Sequence, residues 1–249
     1  MPLLKSERRG SGPTLVWLHG FTQTHQSAHQ FRSILTGTHE VHAFDLPGHG
    51  QSSEVDATLE ETADLLSSQL PDEPVALAGY SLGARVALHV ALGHPEHVSA
   101  LVLLGASRGI DDAALRAQRV AHDEALAERI ETIGVETFLD EWLAQPMFST
   151  LPNDPLERAA RSKDPAGLAR SLRRCGTGTQ EFLGPRLKSL TMPVLCLAGV
   201  LDAKFVAEAH AIAAGVRNGA AHTIRDAQHA AHLERPDECA AVIEAFLAR

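Results

Sequence analysis

Six short apolar runs recur along the chain, each closed by Gly, Pro or Asp, and none alternates strictly between polar and apolar residues. They are Thr14–Gly20 "TLVWLHG", Glu40–Gly48 "EVHAFDLPG", Pro74–Ser81 "PVALAGYS", Ser99–Ser107 "SALVLLGAS", Pro193–Gly199 "PVLCLAG" and Ala221–Ala227 "AHTIRDA". Continuous apolar runs are the pattern of strands buried on both faces. Between them lie stretches of helical period: Thr58–Leu70, where Thr58 and Glu61 form a capping-box signal, Leu82–Leu92, and Pro236–Leu247. This alternation predicts an α/β fold, a mostly parallel sheet covered by helices on both faces. The chain before Thr14 has room for one more strand, giving about seven.

The alternation stops between residues 109 and 190, where only helical signals appear: "DDAALRAQRVAHDEALAERIE", "VETFLDEWLA", "DPLERAARS" and "DPAGLARSLRRCG". Residues 1–108 and 191–249 are therefore expected to form one core, with 109–190 inserted between two of its strands as a helical lid. Such an insertion lies over the carboxyl edge of the sheet, where open α/β sheets bind ligands. The lid is divided by charge. Asp111–Glu157 carries 3 Arg/Lys against 11 Asp/Glu, and Arg158–Lys188 carries 8 against 2. Solvated helix faces account for many such charges. A basic segment beside the expected site also suggests a small anionic ligand.

A net charge of −9 argues against nucleic acid and anionic membrane as partners. The N-terminal "MPLLKSERRGSG" has no apolar core of a secretory signal, and no run approaches a membrane span, so a cytoplasmic protein is expected, as a monomer or homodimer. Cys175, Cys196 and Cys239 form no CxxC pair and are odd in number, so neither a disulfide framework nor a zinc site is expected. "HAAH" at His229–His232 lacks the spacing and the glutamate of a metalloprotease motif, and no metal is expected there.

"G-Y-S-L-G" at Gly79–Gly83 follows one apolar run and opens a helical stretch. Strand, sharp turn and helix around G-x-S-x-G form a nucleophile elbow, which lifts Ser81 clear of the sheet. The Leu82 N–H at the helix start then points toward an oxyanion forming beside the serine. A serine hydroxyl needs an imidazole to activate it. His229 follows the last strand and precedes the last helix; His232 suits packing near the helix start, and His222 lies within the strand. The imidazole needs an acid. Asp202 in "AGVLDAKF" stands just past a strand end, with Asp226 as its rival. "LHGF" offers the Phe21 N–H as a second oxyanion donor, and His19, Asp45 and His49 read as groups that hold loops together.

With "LHG", "DLPGHGQS", "GYSLG", "AGVLDAKF" and "QHAAHLERP", the chain resembles the α/β-hydrolase superfamily over nearly its whole length. The expected fold is thus the α/β-hydrolase fold with a helical lid. "FLDEWLAQPMFSTL" and "LRRCGTGTQ", with "LLGASRGI" and "LDAKF", make it similar to a narrower family, the 2-succinyl-6-hydroxy-2,4-cyclohexadiene-1-carboxylate synthases of menaquinone biosynthesis. That resemblance implies a lyase that eliminates pyruvate from an enolpyruvyl succinyl cyclohexene dicarboxylate, with the triad serine as base and no cofactor. A serine carboxylesterase, or another hydrolase acting on a small anionic substrate, is the alternative. The resemblance also implies substrate contacts from Tyr80, Arg85, Arg119, Trp142 and Arg161. Arg85, one helical turn past Ser81, can face the same cavity. Three positions depart from the family pattern: Gln228 stands where Gly usually precedes the catalytic His, "GVLD" replaces a charged turn, and Ala84 replaces Gly.

Overall fold

The computed structural model describes residues 3–249. Seven strands form one sheet: β1 Ser6–Arg9, β2 Thr14–Leu18, β3 Glu40–Phe44, β4 Val75–Tyr80, β5 Val98–Leu104, β6 Val194–Gly199 and β7 Gly219–Ile224. Their order is β1-β3-β2-β4-β5-β6-β7. Only β1 runs antiparallel, against β3. β1 reads "SERR"; it pairs on one side only and is mostly exposed, so no apolar run marks it.

The apolar runs are continuous because successive residues enter different cores. In β2, Val16 and Leu18 pack into one core, and Leu15 and Trp17 into the other. β5 divides likewise, Leu101 and Leu103 against Val102 and Leu104. Helices α2 (Leu59–Ser67), α3 (Leu82–Gly93) and α7 (Ala203–Gly215) cover the first face. Helices α1 (His29–Leu35), α8 (Ala231–Glu234) and α9 (Pro236–Leu247) cover the second. Thr58 caps α2 through the full capping box: its hydroxyl accepts from the Glu61 N–H, and the Glu61 carboxylate accepts from the Thr58 N–H.

Between β5 and β6 the chain is helical: α4 (Ala113–Leu143), α5 (Pro155–Ala159) and α6 (Pro165–Cys175). α4 is broken at Gly134, whose φ of 76° and ψ of 166° are not helical. Ile130, Phe138 and Leu139 of α4 pack on Leu168 and Leu172 of α6, giving this segment its own apolar core. The charge blocks find each other here. Arg173 pairs with Glu124 at 2.8 Å and Glu131 at 2.7 Å, Arg158 with Asp140 at 2.9 Å, and Lys163 with Glu136 at 2.6 Å. Arg174 reaches Asp56 at 2.8 Å on the core. Arg158, Lys163 and Arg173 thus answer the acidic segment, and Arg174 the core, rather than a ligand. Such exposed pairs contribute about 0–1 kcal/mol each, so the apolar seam carries most of the helix packing. Among the described residues, no helix is long and apolar enough to cross a membrane.

Candidate active site

β4 passes to α3 through Ser81, which holds φ 51° and ψ −105°. A non-glycine residue there is strained by about 1–3 kcal/mol, and the flanking glycines make the turn possible. A Cβ on Gly79 would stand 2.4 Å from the Gly83 carbonyl oxygen, and one on Gly83 would stand 2.1 Å from that of Leu18. The turn delivers Ser81 Oγ to 3.0 Å from His229 Nε2, and His229 Nδ1 lies 3.0 Å from Asp202 Oδ2. A carboxylate can only accept, so the Nδ1 proton goes to Asp202 and Nε2 is left to accept from the serine.

Each member is placed by its own backbone. Asp202 is the N-cap of α7, its Oδ1 accepting from the Phe205 N–H at 3.3 Å, which leaves Oδ2 for the imidazole. The Phe205 ring centroid lies 4.3 Å from that of His229, and the His229 N–H donates to the Met147 carbonyl at 3.3 Å. Gln228 ties the same loop down: its N–H donates to Glu234 and its amide to Ser149 Oγ, both at 2.8 Å. The residue that departs from the family pattern is therefore an anchor, and the ring keeps its reach.

The competing residues stand elsewhere. The Asp226 side chain is 82% exposed and faces Arg235. His232 is fully buried with its ring 4.3 Å from that of Tyr80, neither ring nitrogen has a hydrogen-bond partner, and burial pushes its pKa down to about 3. His222 is exposed on β7. His19 and His49 brace the loops beneath the site. His19 donates to the Gly20 carbonyl and accepts from the Leu46 N–H; His49 donates to Pro47 and accepts from the Thr22 N–H. Burial lowers their pKa values to about 4 and about 3. Asp45 takes the N–H groups of His25 and Gln51, both at 2.7 Å.

Phe21 and Leu82 line the same cavity as Ser81, and neither N–H donates to another group among the described residues. The Phe21 loop is held by the Gly20 N–H on Gln23 Oε1 at 2.8 Å.

The cavity measures about 190 Å³. Tyr80 and Trp142 line it, and four cations do so as well: Arg85, Arg119, Arg161 and Lys204. Among the described residues, no Asp or Glu side chain belongs to its wall. Arg85 is buried and donates only to the Gly176 carbonyl and Gln180 Oε1, both at 3.4 Å; desolvation pulls its pKa down to about 10. Arg161 is buried too, donating to Thr22 Oγ1 at 2.5 Å, and desolvation lowers its pKa. Arg119 pairs with Asp123 at 2.7 Å. Of the basic segment Arg158–Lys188, Arg161 is the one cation in this wall. Lys204 and Gln180 carry no signal of their own, although "LDAKF" contains the first and "GTGTQ" the second. Gln23 lies in a stretch with no motif.

A serine at a strained strand-to-helix turn, reached by an imidazole and a carboxylate from later strand ends, defines an enzyme of the α/β-hydrolase class. The chain belongs to the alpha/beta hydrolase family, whose model matches residues 15–242, and within it to the family of 2-succinyl-6-hydroxy-2,4-cyclohexadiene-1-carboxylate synthases. The synthase of that name from Serratia proteamaculans (strain 568) is 33% identical over 94% of this chain and 93% of its own. That from Yersinia pseudotuberculosis serotype O:1b (strain IP 31758) is 34% identical over 96% and 89%. The solved structure of MenH from S. aureus superposes with a TM-score of 0.91 at 33% identity, covering 100% of this chain and 98% of that one. A thermophilic esterase from Thermogutta terrifontis, 24% identical with a TM-score of 0.83, shares the fold.

Proposed function

We propose that the protein eliminates pyruvate from an enolpyruvyl ether of a succinyl cyclohexene dicarboxylate, forming the cyclohexadiene product for which its relatives are named. The observation that carries this reading is a cavity wall with four cations and no carboxylate around the Ser81 hydroxyl. Guanidinium forks bind carboxylates bidentately, and several forks suit a substrate with several carboxylates.

In this reading Arg85, Arg119 and Arg161 hold the carboxylates, and Tyr80 and Trp142 flank the ring. His229 Nε2 takes the Ser81 proton, and Asp202 steadies the imidazolium. The serine oxygen removes a proton from the ring carbon next to the succinyl ketone. The electron pair moves onto the ketone oxygen, where the N–H groups of Phe21 and Leu82 meet the negative charge. When the enolate collapses, the C–O bond to the enolpyruvyl group breaks and a second ring double bond forms. The departing enolpyruvate takes up a proton and becomes pyruvate. Positioned base and oxyanion donors each supply on the order of 10²–10⁴ in rate.

The test offers the purified protein the enolpyruvyl substrate and follows pyruvate through a coupled assay, with Ser81→Ala as the blank. In parallel, an activated acetate ester reports any acyl-enzyme burst. Steady pyruvate release without a stoichiometric burst is expected. A burst on the ester with no pyruvate from the enolpyruvyl compound would replace the lyase with a serine esterase.

A further inference from the structure

Arg119 meets a carboxylate that should compete with any substrate it binds, yet Asp123 does not occupy the guanidinium fork. Its Oδ1 takes only the Nε proton of Arg119, at 2.7 Å, and neither terminal nitrogen of Arg119 has a partner among the described residues. The other oxygen, Oδ2, accepts the Gly178 N–H at 3.3 Å. Gly178 belongs to the turn after α6, residues 176–180, whose Gly176 carbonyl and Gln180 amide oxygen are the two acceptors of Arg85. The Gln180 amide is fixed in turn, donating to the Ser107 carbonyl at 3.0 Å. The turn is pressed onto α4. A Cβ on Gly178 would stand 2.5 Å from the Val120 N, and one on Gly176 would stand 2.5 Å from Asp123 Oδ2. Asp123 itself is 2% exposed.

We propose that Asp123 is a positioning residue that aims two substrate-binding arginines at once, Arg119 through Nε and Arg85 through the 176–180 turn. This rests on the reading that the cavity binds carboxylates. A fixed arginine gives up much rotamer freedom, so holding it from behind lowers the cost of binding an anion in front. A carboxylate on Nε leaves both terminal nitrogens facing outward. A carboxylate across them would block the fork. The motif "GTGTQ" has a physical reason here: glycine at 176 and 178 lets the turn approach α4 closely enough for one buried aspartate to reach both.

The test is a double-mutant cycle of Asp123→Asn and Arg119→Ala. Binding of 2-succinylbenzoate, a stable aromatic dicarboxylate, is read by calorimetry, and the unfolding midpoint is measured for each variant. Asparagine keeps an acceptor for the Gly178 N–H and removes the charge behind Arg119. The expected result is a Kd roughly tenfold weaker for Asp123→Asn alone, about twofold or less weaker when it is added to Arg119→Ala, and midpoints within a few degrees. Arg119→Lys, which keeps charge but has no Nε to hold, is expected to weaken binding as Asp123→Asn does and serves if that variant does not fold. Equal weakening in both backgrounds, Asp123→Asn binding as tightly as the unsubstituted protein, or no binding by the unsubstituted protein overturns the proposal. Because the readout is binding, a failed pyruvate assay leaves this result legible by itself.

Discussion

The sheet edge and the cationic wall differ in how far the chain itself satisfies them. At the edge every polar atom of the proposed triad has its partner: Ser81 on His229, His229 on Asp202, Asp202 on the Phe205 N–H. In the wall, Arg85 makes two long hydrogen bonds to neutral oxygens, and Arg161 makes its one to the Thr22 hydroxyl. Burying an ion costs several kcal/mol unless an opposite charge comes with it. One region is thus complete before a ligand arrives, and the other is completed by the ligand. Binding energy can come from these wall cations rather than from the atoms that exchange protons, and so hold the substrate against a preorganised base.

The largest effects expected from single substitutions should separate the two regions. Asp202→Asn should lower kcat by about 10⁴-fold with little change in KM, because the imidazole loses its fixed tautomer. Arg85→Met should act mainly on KM, lowering kcat/KM by about 10²-fold. It should also raise the unfolding free energy by about 1–3 kcal/mol, since a buried unpaired charge is replaced by an apolar chain of similar length. Pyruvate kinetics and chemical denaturation measure both. A loss of stability in Arg85→Met, or a loss confined to kcat, would break the comparison.

The two regions were also unequally readable in the sequence. Ser81, Asp202 and His229 stand where local punctuation marks them: a glycine-flanked turn, a strand end before an N-cap, a loop between the last strand and helix. Five strands, β2 to β6, are plain because each is largely buried on both faces; β7 pairs on one side only and is buried only at Ile224. β1 was expected only from the room before Thr14, since a one-sided edge strand can be wholly polar. α1 carries no capping side chain, its N-cap Ala28 standing in the left-handed region, and so gave no start signal. In the helical segment between β5 and β6, charge is a poor guide. The basic segment reads like a ligand surface, yet Arg158, Lys163, Arg173 and Arg174 are paired with α4 and the core, and which arginine turns inward depends on long-range packing. Asp123 illustrates the point: at i+4 from Arg119 it has the spacing of an ordinary surface ion pair, and its burial comes from the distant 176–180 turn.

A smaller effect is set by pH and falls on the sheet side. His19, His49 and His232 are held neutral by burial, with folded pKa values of about 4, about 3 and about 3 against an ordinary 6.5. As pH falls, the unfolded chain takes up these protons first. The stability they contribute is complete above about pH 6.5 and drains away as pH drops toward 4, at about 1.4 kcal/mol per pH unit for each group. His232→Phe should flatten this slope by one proton, because the ring packs on Tyr80 without using either nitrogen. Urea denaturation from pH 7 to 4.5 measures it. An unchanged slope would mean that His232 does not take part in the acid transition.

The smallest effect tests whether the sheet edge is strained for the sake of its chemistry. Ser81 holds a positive φ that an L side chain rarely adopts, and the residue hydrogen-bonds through Oγ to His229 alone. Glycine at this position relieves the backbone and forfeits the hydroxyl, at some cost in unfolded-state entropy. Ser81→Gly is therefore expected to raise the unfolding free energy by about 1 kcal/mol while abolishing turnover, whereas Ser81→Ala keeps the strain and should leave stability nearly unchanged. The difference between these two variants isolates the backbone from the lost hydrogen bond. If Ser81→Gly were less stable than Ser81→Ala, the turn would be a comfortable one, and the strain would have to be dropped from the account of how the serine is presented.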